Sequence, residues 1–254
     1  MSVLREKIEA AGASGRKALI PYLPFGFPTR ERFWAEVEGM DRAGADVIEI
    51  GVPFSDPVAD GPVIERAVLQ CLECGASLAG LLADLKEREL SAGIVLMGYM
   101  NPFYQYGFER LAKDAAEAGV HGFIIPDLPL EEAEETRNIL DKHGLDLVPL
   151  IGLNTTPERM QAYAEHARGF VYMVSVMGTT GAREDLPPQV EAKLRQAKES
   201  FEAPLALGFG ITGPSQVAHL GDLVDAVVFG SGLVRYVEEG DEPGRAAEFL
   251  RRFI

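Results

Sequence analysis

Cysteine, tryptophan and histidine are scarce in this chain. Its 254 residues include two cysteines, one tryptophan and four histidines. Cys71 and Cys74 form a single CxxC with no second pair and no histidine beside it, so we expect ordinary helix cysteines rather than a zinc or thioredoxin-like site. The scattered histidines do not have the spacing typical of metal ligands. The sequence therefore predicts no metal site and no organic cofactor in this chain.

Positive charge is also scarce. The chain has 24 Lys and Arg residues against 39 Asp and Glu residues, which gives a formal net charge of −15. Proteins that bind nucleic acid cluster Lys and Arg along the phosphate backbone, and no such basic stripe occurs here. We therefore expect no nucleic-acid partner. A small anionic substrate is still compatible with this charge, because backbone amides at a helix N-terminus can bind a phosphate.

Long apolar segments and linkers are missing as well. The longest apolar runs have about nine residues, whereas a membrane-spanning helix needs about 20, so we expect no membrane partner. The segment 1–17 carries both charge signs without the apolar centre of a secretory signal. It predicts a short amphipathic helix ahead of the first strand, in a cytoplasmic protein. Because no low-complexity tract divides the sequence, we expect one domain over residues 1–254.

The sequence repeats one supersecondary unit. Short apolar runs that predict buried strands alternate with segments of helical periodicity, which is typical of a parallel sheet covered by helices. A set of eight such runs favours a single-domain (β/α)8 TIM barrel, and a doubly wound open sheet is the alternative. The runs are residues 18–26, 46–54, 93–100, 121–129, 145–153, 169–176, 203–211 and 225–232.

The second of these runs contains an acidic residue. In DVIEIGVPFSDPVADGP (46–62), Glu49 lies between β-branched residues, and Asp60 follows in a loop rich in proline and glycine. Burial raises the pKa of a carboxyl group towards neutrality, which suits a group that transfers protons. In a barrel both residues would lie at the C-terminal ends of the strands, where active sites of this fold occur. A structural role for Glu49, hydrogen-bonded to a neighbouring strand, is the alternative.

Three glycine-bearing segments follow the last three predicted strands. They are GTTGA (178–182), GFGI (208–211) and GSG (230–232). Glycine lets the backbone approach an anion closely, and phosphate sites in TIM barrels are commonly built from the last loops of the barrel. The segment after Gly230 predicts a short extra helix beginning near Ser231, whose amides would favour an anion. Together these segments indicate a phosphorylated small-molecule substrate.

The chain closely resembles the α-subunit family of tryptophan synthase over nearly its whole length. The resemblance is carried by residues 17–28, 45–62, 122–132, 171–183, 208–211 and 227–234. It implies a (β/α)8 barrel that cleaves indole-3-glycerol phosphate to indole and glyceraldehyde 3-phosphate. By this resemblance Glu49 is the general acid and base, and Asp60 interacts with the indole N–H. The implied substrate-binding residues are Tyr22, Tyr172 and Phe209 in the pocket, Thr180 and Gly181 in a loop over the site, and Gly210, Gly230 and Ser231 at the phosphate.

The resemblance also implies a partner, the β subunit of tryptophan synthase, in an α2β2 assembly. Pyridoxal phosphate is expected only in that partner. Three aromatic residues in the connection 101–107 (Phe103, Tyr104 and Tyr106) are expected to be exposed at the docking face, with core capping as the alternative. Three other readings stay open: a stand-alone lyase that releases free indole, a non-catalytic barrel that activates its partner, and another sugar-phosphate isomerase.

Overall fold

The computed structural model describes residues 2–174, 187–208, 211 and 213–254. Within them the chain forms nine parallel β-strands: β1 Ala18–Pro24, β2 Val47–Gly51, β3 Gly93–Met97, β4 Gly122–Ile124, β5 Asp146–Leu147, β6 Leu150–Ile151, β7 Val171–Val174, β8 Leu205–Gly208 and β9 Ala226–Phe229. The same residues form twelve α-helices: α1 Val3–Ala13, α2 Arg30–Arg42, α3 Pro62–Glu73, α4 Leu78–Leu85, α5 Met100–Tyr106, α6 Phe108–Glu117, α7 Ala133–Lys142, α8 Pro157–Ala164, α9 Pro188–Ser200, α10 Pro214–His219, α11 Ser231–Glu238 and α12 Arg245–Leu250.

The strands form a closed barrel. The order in the sheet is β5-β4-β3-β2-β1-β9-β8-β7-β6, and its two end strands are separated along the chain only by Val148 and Pro149. The Val148 amide donates to the Phe123 carbonyl at 2.9 Å, and the Tyr172 amide donates to the Pro149 carbonyl at 3.0 Å. Because proline has no amide hydrogen to donate, the regular pairing of the fifth barrel strand is interrupted at Pro149, and β5 and β6 are the two parts of that strand. The predicted eight-stranded (β/α)8 barrel is confirmed.

Alternate residues of each strand face the inside of the barrel. On β2, Ile48 and Ile50 pack outwards in the core shared with the helices, whereas Val47 belongs to the cluster inside the barrel. Glu49 has the same parity as Val47 and therefore points inwards. Leu4 and Ile8 of α1 pack against this inner cluster. The predicted N-terminal helix thus covers the N-terminal end of the barrel, and the opposite end carries the cavity described below.

The helix boundaries follow local signals in the sequence. The helix α2 begins three residues before Phe33, because the Thr29 side chain accepts a hydrogen bond from the Arg32 amide and caps it. The helix α7 ends at Lys142, two residues before Gly144, which has a φ of 72°. The predicted extra helix after the last strand is α11, and it begins at Ser231.

The prediction that the aromatic residues of 101–107 are exposed was wrong for two of the three, and the alternative, core capping, holds for Phe103. The segment forms the helix α5 rather than an exposed loop, because the Asp127 carboxylate accepts a hydrogen bond from the Met100 amide at the start of that helix. Phe103 is fully buried, 5.4 Å from the Phe123 ring. The Tyr106 hydroxyl donates to Asp114 at 2.6 Å. Only Tyr104, which is 73% exposed, is an exposed aromatic residue of this segment.

No single helix among the described residues has both the length and the apolar composition needed to span a membrane. The helices α3 and α4, which meet at 85°, pass that test only when they are taken together, by length and composition alone.

Candidate active site

A cavity of about 210 Å³ opens at the C-terminal ends of the strands. Six of the ten predicted site residues line it: Tyr22, Glu49, Asp60, Tyr172, Gly230 and Ser231. Apolar side chains complete the wall, among them Ile64, Met97, Ile124 and Leu150. The other four predicted site residues, Thr180, Gly181, Phe209 and Gly210, lie outside the described residues. The cavity therefore combines two carboxyl groups with an apolar wall that suits an aromatic ring.

Glu49 lies at the bottom of this cavity. In the sheet register it is paired with Tyr22 on β1 and with Val95 on β3, and only 3% of the residue is exposed. Its Oε2 atom has no hydrogen-bond partner among the described residues. Burial, with a smaller contribution from the charge of Asp60, raises the pKa of Glu49 to about 8. The carboxyl group is therefore protonated at neutral pH and can donate a proton.

Asp60 reaches the cavity from the loop between β2 and α3. The Tyr99 hydroxyl donates a hydrogen bond to Asp60 Oδ2 at 3.1 Å and accepts one from the Ala59 amide at 3.0 Å. Burial raises the pKa of Asp60 to about 6, while the hydrogen bond from Tyr99 opposes that rise and the charge of Glu65 adds to it. At pH 7 Asp60 is mostly ionised while Glu49 is mostly protonated, so the two carboxyls hold different charge states.

Tyr99 is the main site residue that the sequence analysis missed. It is almost fully buried, and its ring lies 5.5 Å from that of Phe54, which belongs to the same loop as Asp60. These contacts attach the loop to the end of β3. One signal was available, since Tyr99 is the next-to-last residue of the predicted strand 93–100, at the end of a barrel strand where active-site residues occur. Its partner Asp60 is 39 residues away along the chain, and nothing in the sequence pairs the two.

The tyrosines of the cavity occupy equivalent positions in the barrel. Each tyrosine is paired in the sheet register with a residue of the next strand, and its ring lies against the glycine two positions after that residue. For Tyr22 this glycine is Gly51, and for Tyr172 it is Gly208. A Cβ atom on Gly51 would overlap the Tyr22 hydroxyl, and one on Gly208 would lie 2.5 Å from the Tyr172 hydroxyl. Burial, assisted by the nearby carboxyls, raises the pKa of both tyrosines well above its ordinary value. Both hydroxyls therefore keep their protons and can donate to a ligand.

The cavity also reaches the start of a helix, where backbone amides could hold an anion. Gly230 and Ser231 line the cavity, and α11 begins at Ser231. The amides of Leu233 and Val234 bond to the Gly230 carbonyl at 3.0 and 3.1 Å, which fixes the first turn of the helix. The amides at the start of a helix have no partner within the helix and, with its dipole, favour an anion. No Lys or Arg is among the described residues that line the cavity, so a phosphate there would be bound by backbone amides and the Ser231 hydroxyl rather than by a cationic side chain.

Metal-ligating side chains do not gather in this part of the molecule. Across the described residues, no group of three or more His, Cys, Asp or Glu side chains is arranged to hold a metal ion. Cys71 is buried on α3 and Cys74 is exposed at its C-terminal end, both as free thiols.

The fold is typical of (β/α)8-barrel enzymes, and the cavity at the C-terminal ends of its strands brings together two carboxyl groups with different pKa values. The sequence model of the family described as "Tryptophan synthase alpha chain" matches residues 8–252. The tryptophan synthase alpha chain of Solidesulfovibrio magneticus is 58% identical over 254 residues, which is 99% of this chain and 98% of that protein. That of Desulfovibrio desulfuricans is 54% identical over the whole of both chains.

Solved structures lead to the same family. A structure of Mycobacterium tuberculosis tryptophan synthase superposes with a TM-score of 0.91 at 35% identity, covering 99% of this chain and 96% of that chain. The tryptophan synthase alpha chain from Legionella pneumophila gives a TM-score of 0.89 at 32% identity over 100% of this chain and 96% of that one. The chain belongs to the tryptophan synthase alpha chain family.

Proposed function

We propose that this chain is a carbon–carbon lyase that cleaves indole-3-glycerol phosphate to indole and glyceraldehyde 3-phosphate. The observation that carries this proposal is the pair of carboxyls in one cavity, with pKa values of about 8 for Glu49 and about 6 for Asp60. A retro-aldol cleavage needs an acid and a base, together with an anion that stabilises positive charge on the indole nitrogen. The two residues supply these three roles.

In the proposed reaction Glu49 acts first as an acid. Its proton goes to C3 of the indole ring, and the positive charge that develops on the ring nitrogen is stabilised by the Asp60 carboxylate, which accepts a hydrogen bond from the indole N–H. The ionised Glu49 then takes the proton of the hydroxyl on the carbon attached to C3. The bond between that carbon and C3 breaks, its electrons restore the aromatic ring, and an aldehyde forms. One proton is given and one is taken, so Glu49 ends the cycle in its starting state.

The phosphate of the substrate is proposed to bind at the N-terminus of α11. Gly230 and Ser231 line the cavity, and α11 begins at Ser231. Gly210 is proposed as a further phosphate contact and Phe209 as a pocket residue, with Thr180 and Gly181 in a loop over the site. These four assignments depend on the family motif. The reaction as written involves no metal and no organic cofactor on this chain.

A β subunit of tryptophan synthase is the proposed partner, in an α2β2 assembly, and it would receive the indole. Two exposed side chains support a docking surface near the cavity: Val58, which is 84% exposed in the Asp60 loop, and Tyr104, which is 73% exposed on α5. Because Val58 is two residues from Asp60, docking there would order the loop that carries the catalytic carboxylate. We further propose one domain over residues 1–254 and a cytoplasmic location, which suits the free thiols of Cys71 and Cys74.

Indole release from indole-3-glycerol phosphate tests the lyase proposal. The purified chain should release indole and glyceraldehyde 3-phosphate in equal amounts, and Glu49→Gln should lose at least about 10²-fold in kcat, as is usual when a general acid is removed. Near-normal turnover by Glu49→Gln would refute the assignment.

A titration with a β subunit separates the partner proposal from the stand-alone lyase. Activation by one or more orders of magnitude is expected as the complex forms. Unchanged turnover in a demonstrated complex would favour the stand-alone lyase.

A further inference from the structure

A second cavity, about 460 Å³ in volume, lies on the outside of the barrel between α7 and α8. The helix α7 packs on α6, and α8 packs on α9. The second cavity therefore lies between two pairs of helices in the outer layer of the barrel. Its floor is the fifth barrel strand at Val148 and Pro149, where that strand is interrupted. The volume is about twice that of the active-site cavity and falls within the range of small-molecule sites.

Basic side chains outnumber acidic ones in the lining of the second cavity, although the chain as a whole is strongly acidic. Arg137, Arg159 and His166 line it, and Asp127 is its one acidic residue among those described. Arg159 is already paired with Glu131 through two contacts of 2.6 and 3.0 Å. One oxygen of Asp127 accepts the Met100 amide. Arg137 is half-buried and forms no ion pair or hydrogen bond with any other described residue.

The remaining walls are apolar. Leu128, Leu147 and Tyr163 are each half-buried and line the second cavity. A guanidinium group without a partner matches the geometry of a carboxylate through two parallel hydrogen bonds, and its affinity for an anion rises when apolar walls exclude water. A ligand that satisfies this site therefore needs one anionic group and an apolar body.

We propose that this cavity binds a small amphipathic carboxylate. The carboxylate pairs with Arg137, and the apolar body packs between Leu128, Leu147 and Tyr163. The site is separate from the active-site cavity, although Pro126 and Leu150 line both. A probe with an aromatic ring can also enter the active site, so the test must locate the probe as well as measure its affinity.

Methyl-resolved NMR on the full chain, titrated with 1-naphthoate at pH 7, tests this proposal. Saturable shifts are expected at Leu128 and Leu147. Arg137→Gln should weaken binding by at least about tenfold, because glutamine keeps an N–H donor but loses the charge and one of the two hydrogen bonds. The neutral 1-naphthamide should bind wild type about as weakly as 1-naphthoate binds that variant. Arg195→Gln, the same charge change at an exposed position on α9, should bind 1-naphthoate like wild type.

Three results would overturn the proposal. The first is the absence of any saturable shift at Leu128 and Leu147 up to about 10 mM, the weak end of measurable small-molecule binding. The second is equal affinity in wild type and Arg137→Gln. The third is a set of shifts confined to Ile64 and Val228, which would place the probe in the active-site cavity only.

Discussion

The Glu49→Gln substitution should stabilise the protein by an amount that depends on pH. In the unfolded chain a glutamate carboxyl has a pKa near its ordinary value of 4.5, whereas the buried Glu49 has a pKa of about 8. Between these two values the folded protein holds a proton that the unfolded chain has released. The contribution of Glu49 to stability is therefore fully present below about pH 4.5 and is lost as the pH rises through about 8.

The size of this loss follows from the linkage relation. Each pH unit between the two pKa values removes about 1.4 kcal/mol, so at pH 7 the wild-type protein has lost about 3 kcal/mol through this group. Glutamine does not titrate and avoids the loss. Any constant effect of the amide cancels when two pH values are compared. From pH 5.5 to 7.5 the unfolding free energy of Glu49→Gln minus that of wild type should therefore rise by about 2 to 3 kcal/mol.

Urea unfolding, followed by circular dichroism at several pH values in this range, measures that difference. The lower limit of pH 5.5 stays above the sequence pI of about 4.7, where solubility is poorest. Glu73→Gln, at an exposed position on α3, controls for the loss of one negative charge and should give no comparable rise. If the Glu49→Gln difference does not change with pH, Glu49 is not held protonated in the folded barrel and the reasoning fails.

Three further predictions concern the walls of the active-site cavity. Tyr99→Phe removes the hydrogen bond that opposes the rise in the Asp60 pKa. The acid limb of the pH profile of kcat/KM should therefore move to higher pH than in wild type on the same substrate, and an unmoved limb would argue that Asp60 does not control it. Gly208→Ala places a Cβ atom 2.5 Å from the Tyr172 hydroxyl. Chemical denaturation should show that the unfolding free energy falls by about 1–3 kcal/mol. An unchanged unfolding free energy would mean that the Tyr172 side chain can move away without cost. Gly230→Val should raise KM with little loss of stability, because a Cβ atom there meets, among the described residues, only Ile64 at 3.7 Å. An unchanged KM would argue against phosphate binding at α11.

The barrel could be predicted because each strand is a separate apolar run between turn signals. The boundaries were less accurate, and the predicted strands run past the observed ends. Residues 46–54 were predicted, for example, whereas β2 ends at Gly51. The reason is that the loops at this end of the barrel are themselves buried, as Phe25 and Val52 show. Hydrophobicity alone does not distinguish a strand from a loop that packs over the end of a barrel.

Features that depend on distant residues could not be predicted. The helix α5 begins where the Asp127 carboxylate meets the Met100 amide, and these residues are 27 positions apart. The sequence NPFYQYG, with its proline and terminal glycine, resembles a loop when that contact is unknown. The same holds for the hydrogen bond from Tyr99 to Asp60. Glu49 was recognisable because a carboxylate inside an apolar strand is conspicuous in the sequence itself, and Asp60 because it follows in the proline- and glycine-rich segment next to that strand.

The pH dependence of kcat/KM for indole release tests the central claim most directly, namely that Glu49 acts as an acid because its pKa is raised. The account predicts a bell-shaped profile, with an acid limb near pH 6 and an alkaline limb near pH 8. The alkaline limb is decisive, because the substrate phosphate also titrates near pH 6 and contributes to the acid limb. Activity that stays constant from about pH 7 to well above 8 would contradict the claim, since a free enzyme with ionised Glu49 would then be fully active.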